Sequence, residues 1–520
     1  MNSQITKFNF FDWRFCLITL IVLIGLFKNA NGQKLYNQLD IDKNLKTAGK
    51  NKVELLKAIK YFKNEKDSLK LEALYFLIAN MDIHSSADYV WVNRSNNEVK
   101  VDELSFPNYK AFKESIDIMK DRDQISYTKE TQIADLKSIN AKILIDNVNE
   151  AFKVWRSSNY KKISFDSFCE YILPYRVTIE PVQDWRSTYS SRYKWIGDSL
   201  KFNSIENVLP YVGADYKTWW NNTYYSGGRE EPLPRLGALQ LLFRMSGACE
   251  DITALQVFTL RSQGIPASFN FVPCWATSTG IHFLNTVFDE QMHPLKYDAT
   301  MTPAVGDLTR EPSKVLRITY SKQKNVLTDI EHLDSIPPGF MQTRNYIDIT
   351  DEYWKTQSVV CPITKSRPHS PIVYACVYNG GVWQPIWWGK VNNSKVEFIK
   401  MAKGAVYLPA YFSNGTIVPA GYPKGAGYSG EVELKPDLGG KRTVVIQEQD
   451  KYLKFRADKS YSLYYWDSEW KLIAEKVAAT ETRELSFDDV PSNALLVLIP
   501  EYSQGKERPF MIKDGKRYWW

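Results

Sequence analysis

The hydrophobic rhythm of the chain changes along its length. From about residue 34 to 160, apolar positions recur at helical spacing. Val53, Leu56, Ile59 and Phe62 stand three apart with Lys and Glu between them, which predicts an amphipathic helix. Leu71 to Ile78 is apolar almost throughout and reads as a more buried helix. Leu136, Ile139, Ile143, Ala151 and Trp155 mark a third long helix. These positions need only be core. After Phe165 the texture turns polar and aromatic, through Tyr171–Arg176 to Trp185. Residues about 235–345 alternate a helix with strands. From about Val359 the pattern becomes that of strands. Ile372–Tyr378 and Val382–Trp388 flank Asn379-Gly380-Gly381, and Asn-Gly between two apolar runs is a strong hairpin signal. No repeat at a fixed period is present. These rhythms predict an α+β protein. A helical N-terminal region covers 33–165, a mixed core 166–350, a β-sandwich domain 351–450 and a second β-rich module 451–520.

The N-terminus follows a different rule. Lys7 and Arg14 precede an apolar run, Phe15 to Phe27, and Ala30-Asn31-Gly32 supplies small residues after it. The run falls short of the roughly 20 residues that span a bilayer and fits the core of a secretory signal peptide. Residues 1–32 are therefore expected to be removed near Gln33. Cys16 follows Arg14-Phe15 rather than a lipoprotein box. The mature chain is expected to be exported, to periplasm, cell surface or medium, with no stable membrane span.

Composition narrows the classes further. The chain has 520 residues, 44% hydrophobic and 24% charged, close to the globular average, which excludes a mainly disordered chain. The net charge of +7 is small for this length and lacks the dense basic stripe of a nucleic-acid binder. Aromatics reach 14%, a load that suits β-rich cores and sometimes ring-stacking surfaces. Five cysteines lie beyond residue 32: Cys169, Cys249, Cys274, Cys361 and Cys376. An odd number leaves at least one thiol free, and so few do not make a disulfide scaffold. Whether Cys361 pairs with Cys376 stays open. The five histidines are scattered and no CxxC occurs, so neither metal nor cofactor is expected.

One constellation carries chemistry. Ser246-Gly247-Ala248-Cys249-Glu250-Asp251 opens a predominantly apolar segment, Ile252 to Leu260, closed by Gly264 and Ile265-Pro266. Gly264 fits the position just past a helix end, and Pro266 cannot continue the helix. Cys249 therefore falls at the first turn, where free N–H groups and the helix dipole favour a thiolate. The flanking Glu250 and Asp251 oppose that effect and read as structural. Gly280–Phe288, which contains His282, reads as a strand, and Leu295–Asp298 as the next, antiparallel one. Asp298 can then fix one imidazole nitrogen while the other faces sulfur, the nucleophile–base–orienter logic of covalent acyl transfer. Taken singly, each residue has an ordinary reading: a buried thiol, a structural histidine, a turn aspartate.

Gly247-Ala248-Cys249-Glu250-Asp251, Leu260–Ala267, His282-Phe283-Leu284-Asn285 and Asp298-Ala299-Thr300 resemble the core motifs of the transglutaminase-like superfamily. The resemblance is specific over about residues 235–305. More loosely, Tyr171–Arg186, Tyr464-Tyr465-Trp466 and Tyr518-Trp519-Trp520 are similar to exported transglutaminase-like proteins of Bacteroidetes. It implies a papain-like core with Cys249 as nucleophile, His282 as general base then acid, and Asp298 as orienter. Leu284 stands where many members have Trp, and Ser268 where many have Arg, which touches substrate fit more than chemistry. The backbone N–H of Cys249 is the default oxyanion donor; Gln183 and Trp185 are side-chain candidates, with core packing the ordinary reading of Trp185.

The function expected on these grounds is an exported cysteine hydrolase or acyl-transferase acting on amide bonds of peptides, proteins or glycopeptides. Hydrolysis is favoured over cross-linking, since no acidic calcium-loop pattern occurs. The alternative is a catalytically silent binder of glycan or peptide, in which Trp219-Trp220-Asn221-Asn222-Thr223-Tyr224-Tyr225 and the β-modules provide the surface.

Overall fold

The structure, a computed structural model, describes residues 35–88, 90–127, 131–222, 235–365, 371–450 and 452–520. The apolar run at residues 15–27 and Thr223-Tyr224-Tyr225 lie outside the described residues. Among the described residues, no helix is long and apolar enough to cross a membrane.

The protein is α+β with a β-rich C-terminal region. Helices Gln38–Thr47, Lys52–Lys63, Ser68–Asn80 and Ala141–Ser157 form the N-terminal layer. The Asn37 and Asn140 side chains cap the first and the last of them, accepting from the Leu39 and Ile143 N–H groups at 3.0 and 2.9 Å. Two expectations are corrected here. In Lys52–Lys63 the buried face is Leu55, Ala58, Ile59 and Phe62, while Val53 and Leu56 face solvent. Leu136 belongs to a separate short helix, Asp135–Ser138, and Ile139 falls between the two helices, so the long helix begins only at Ala141.

These helices share one continuous apolar cluster with the segments that follow, running from Ile41 through Trp155, Phe168, Tyr189 and Phe258 to Tyr320. Within it the helix Cys249–Ser262 is buried along nearly its whole length. Gly264 follows its end at φ +72°, as the sequence implies, and a Cβ there would stand 2.7 Å from the Val154 carbonyl oxygen of the neighbouring helix. The helix packs on an antiparallel five-stranded sheet ordered Tyr346–Asp348, Leu316–Ile318, Ala267–Val272, His282–Phe288, Pro294–Tyr297. The last two pair with Asn285 opposite Tyr297.

The C-terminal half is built from strands. An eight-stranded sheet covers residues from Thr356 to Glu433. The Ile372–Asn379 hairpin closes through Gly380 and Gly381, with φ +65° and +83°, on the pair Asn379 and Val382. These positive angles are those of the primed hairpin turns, which glycine adopts without cost. Asp437–Gln447 pairs with Glu484–Ser492, and a five-stranded sheet from Ser460 to Trp519 completes the chain. Cys361 and Cys376 do not pair, and all five described cysteines are free. The strands Lys395–Ala402 and Val382–Asn392 lie between theirs in the sheet, which takes the two sulfurs out of bonding reach.

Candidate functional site

Cys249 is the first residue of its helix, with Ala248 in extended conformation ahead of it. The turn is fixed from within: the Asp251 carboxylate accepts from the Ala248 N–H at 2.9 Å, so Asp251 acts as the capping acid. Gly247 is required by the same contact, because a Cβ there would meet Asp251 at 2.5 Å. Glu250 pairs with Arg235 at 2.8 Å. The Cys249 N–H stands at the helix position that has no intrahelical acceptor. Of the five described cysteines, Cys249 is the one that is not fully buried. Burial drives the Cys274 and Cys361 thiols up to about 12, which makes them inert at neutral pH.

His282 begins its strand and Asp298 directly follows the neighbouring strand Pro294–Tyr297. Their side chains meet: His282 Nε2 donates to Asp298 Oδ2 at 2.6 Å, with both groups largely buried. The other carboxylate oxygen accepts from the Thr300 N–H at 3.0 Å and the Thr300 hydroxyl at 2.6 Å. Asp298 thus makes the turn that an ordinary reading assigns to it and still has one oxygen for the imidazole. Cys249 lies near enough to the ring to add to its proton affinity. With Nε2 taken by Asp298, Nδ1 is the nitrogen left for sulfur.

Burial alone depresses the His282 pKa. The hydrogen bonds to Asp298 and Cys249 and their negative charges outweigh it and raise the pKa to about 9. The ring is therefore an imidazolium at neutral pH. The helix and the strands are tied together around it. Asn285 Nδ2 donates to the Thr253 carbonyl at 3.0 Å, and the Tyr297 hydroxyl to Gln256 Oε1 at 2.9 Å.

The other sequence candidates are engaged in packing and capping. The Trp185 indole N–H donates to the Tyr175 carbonyl at 2.9 Å, and its ring packs against Tyr189 and Phe258 in the core. Its donor is spent there, so Trp185 is not an oxyanion donor. Gln183 Oε1 accepts from the Leu239 N–H at 2.8 Å and caps the short helix that leads to the cysteine turn. Trp219 and Trp220 are packed rather than displayed. The Trp219 N–H donates to Asp215 and the Trp220 N–H to the Gly247 carbonyl, at 3.2 and 3.3 Å. Asn221-Asn222 runs parallel to Ser246-Gly247, which lays this segment against the entrance to the cysteine helix. In the described part of the aromatic run Trp220 is buried and Trp219 half-buried.

The sequence missed Trp275. Its ring stacks on His282 with centroids 5.4 Å apart and planes at 25°, and the Arg310 guanidinium lies 5.3 Å from the Trp275 centroid. A cavity of about 270 Å³ opens beside the pair, lined by Trp275, His282, Leu284, Asp298, Arg310 and Tyr353 among others. A lone tryptophan seven residues before a histidine belongs to no spacing rule, so no signal marks it. Among the described residues no group of three or more His, Cys, Asp or Glu side chains could hold a metal ion.

No family model matches the chain. No curated protein matches it in sequence either. Among solved structures, the crystal structure of red sea bream transglutaminase aligns over 85% of this chain and 77% of that one, at 10% identity and a TM-score of 0.19, an overlap too slight to define a shared fold.

Proposed function

We propose that the protein is an exported cysteine hydrolase or acyl-transferase that acts on amide bonds of peptides or glycopeptides through a thioester. The observation that carries the reading is the 2.6 Å bond between His282 Nε2 and Asp298, on strands packed against the helix that begins at Cys249.

The chemistry follows from the charges. The Cys249 thiolate attacks the amide carbonyl and the C=O electrons move to oxygen. The Cys249 N–H at the helix start is the donor placed for that oxyanion. As the C–N bond breaks, the His282 imidazolium gives its Nδ1 proton to the departing amine. Neutral His282 then takes a proton from water or from a second amine, whose attack on the thioester releases the acid or the new amide and restores the thiolate. Asp298 holds the tautomer and ring orientation through both steps.

The test has two parts. Cys249→Ala should abolish hydrolysis or amine exchange on a peptide-amide library read by mass spectrometry, with the far-UV spectrum unchanged; retained turnover would end the proposal. Iodoacetamide should label Cys249 rapidly at neutral pH, and His282→Ala should slow it. A thiol that is inert in the folded protein would mark a silent site.

A further inference from the structure

The histidine is held from a direction that the triad alone does not account for. A hydrogen bond at Nε2 fixes one atom of the imidazole but leaves the ring free to tilt about that bond. The face-packed indole of Trp275 removes this freedom. Trp275 sits in turn on the loop Trp275–Gly280, which ends two residues before His282. That loop is fastened from outside the core. Asn379, at the end of a buried strand of the eight-stranded sheet, sends its side chain into it. Its Nδ2 donates to the Trp275 carbonyl at 2.9 Å and the Ser278 carbonyl at 2.7 Å, and its Oδ1 accepts from the Gly280 N–H at 3.3 Å. The loop closes on itself through the Trp275 N–H and the Gly280 carbonyl at 3.0 Å. Asn379 is buried, so these partners replace water for both ends of its amide.

We propose that Asn379 is a positioning residue, by which the C-terminal sheet fixes the Trp275 loop and through it the plane of the His282 ring. The C-terminal β region is then part of the working site rather than an appendage to it. The inference rests on the reading of His282 as the acid–base group, and its test separates the two.

The full-length protein is compared with Asn379→Ala and with Ile372→Ala, which creates a cavity at the far end of the same strand, on the face opposite to the one that packs on Ala276 of the loop. Two quantities are read: the pKa of His282 by carbon NMR of labelled histidine, and the rate of Cys249 alkylation by iodoacetamide. Thermal unfolding reports the loss of stability in each variant. Asn379→Ala is expected to move the His282 pKa by about half a unit or more. It should also slow alkylation by on the order of tenfold, as small misplacements of reacting groups do. Ile372→Ala should lower the melting temperature and leave both quantities at the wild-type value. A wild-type His282 titration and alkylation rate in Asn379→Ala overturns the proposal. So does Ile372→Ala reproducing both changes, because Asn379 would then act through stability alone. If wild-type alkylation ignores His282→Ala, the acid–base reading fails, and the NMR titration still decides whether Asn379 governs the ring.

Discussion

At the scale of the residue, the charge state of His282 is the quantity most open to measurement. Its pKa stands near 9 because the contributions of Asp298 and Cys249 outweigh burial. Removing the charge of Asp298 should therefore lower it. In Asp298→Asn the His282 resonance is expected to titrate at a distinctly lower pH than in the wild type, and an unchanged midpoint would contradict the assignment. The same shift carries a stability term with a definite sign. A histidine whose pKa rises from about 6.5 to about 9 on folding stabilises the native state fully below pH 6.5, and that contribution is lost as pH climbs through 9. Urea midpoints at pH 6 and pH 9 should differ less in Asp298→Asn than in the wild type. Cys249, His282 and Asp298 were legible because each sits at an element boundary that sequence can mark: a helix start after Gly-Ala, a strand start after Gly280, a strand end before Ala-Thr. Trp275 and Asn379 were not: a tryptophan seven residues before a histidine matches no spacing rule, and Asn379 reaches Trp275 across 104 residues of chain.

At the scale of the element, the clearest test is Gly264. It holds φ +72° directly after the C-cap of the cysteine helix, and its missing Cβ lets the chain approach the Val154 carbonyl. Gly264→Ala would face both a left-handed backbone and a backbone atom at 2.7 Å. The first effect alone costs about 1–2 kcal/mol. The expected outcome is a lower urea midpoint at unchanged slope, together with slower iodoacetamide labelling, since the displaced helix carries Cys249. The end of this helix was readable from Gly264 and Pro266. The buried face of Lys52–Lys63 was misread for an instructive reason. Val53, Leu56, Ile59 and Phe62 and the true face Leu55, Ala58, Ile59 and Phe62 share two members, and spacing cannot choose between overlapping stripes. The choice is made by what packs on the helix, here Ser68–Asn80 and Ala141–Ser157.

At the scale of the whole molecule, the N-terminal helices and the core are joined by buried polar groups, and these set the behaviour in acid. Arg176 grips Asp135 with two hydrogen bonds, at 2.7 and 2.6 Å, both residues being buried. Nearby, His84 donates its Nε2 proton to the Tyr320 carbonyl at 2.8 Å and stacks on the Tyr320 ring, linking positions far apart in the chain. Burial, reinforced by the charge of Arg176, pushes the His84 pKa down to about 3. The sign is opposite to that of His282. A histidine kept neutral in the fold contributes nothing adverse above pH 6.5. As pH falls from there toward 3, the unfolded chain binds a proton that the native state refuses, and stability drops by up to about 1.4 kcal/mol per pH unit from this one group. The joint between the helical layer and the core should therefore be the acid-sensitive seam. His84→Phe keeps an aromatic ring against Tyr320 and removes the titrating group, at the expense of the hydrogen bond. It is expected to be less stable than wild type at pH 7 and to lose less stability between pH 6.5 and pH 4.5. Urea unfolding of both proteins at the two pH values measures this directly. Equal losses in the two proteins would show that the acid response originates elsewhere, with the carboxylate of Asp135 the next group to examine, because protonating it would leave the buried Arg176 guanidinium without its counter-charge.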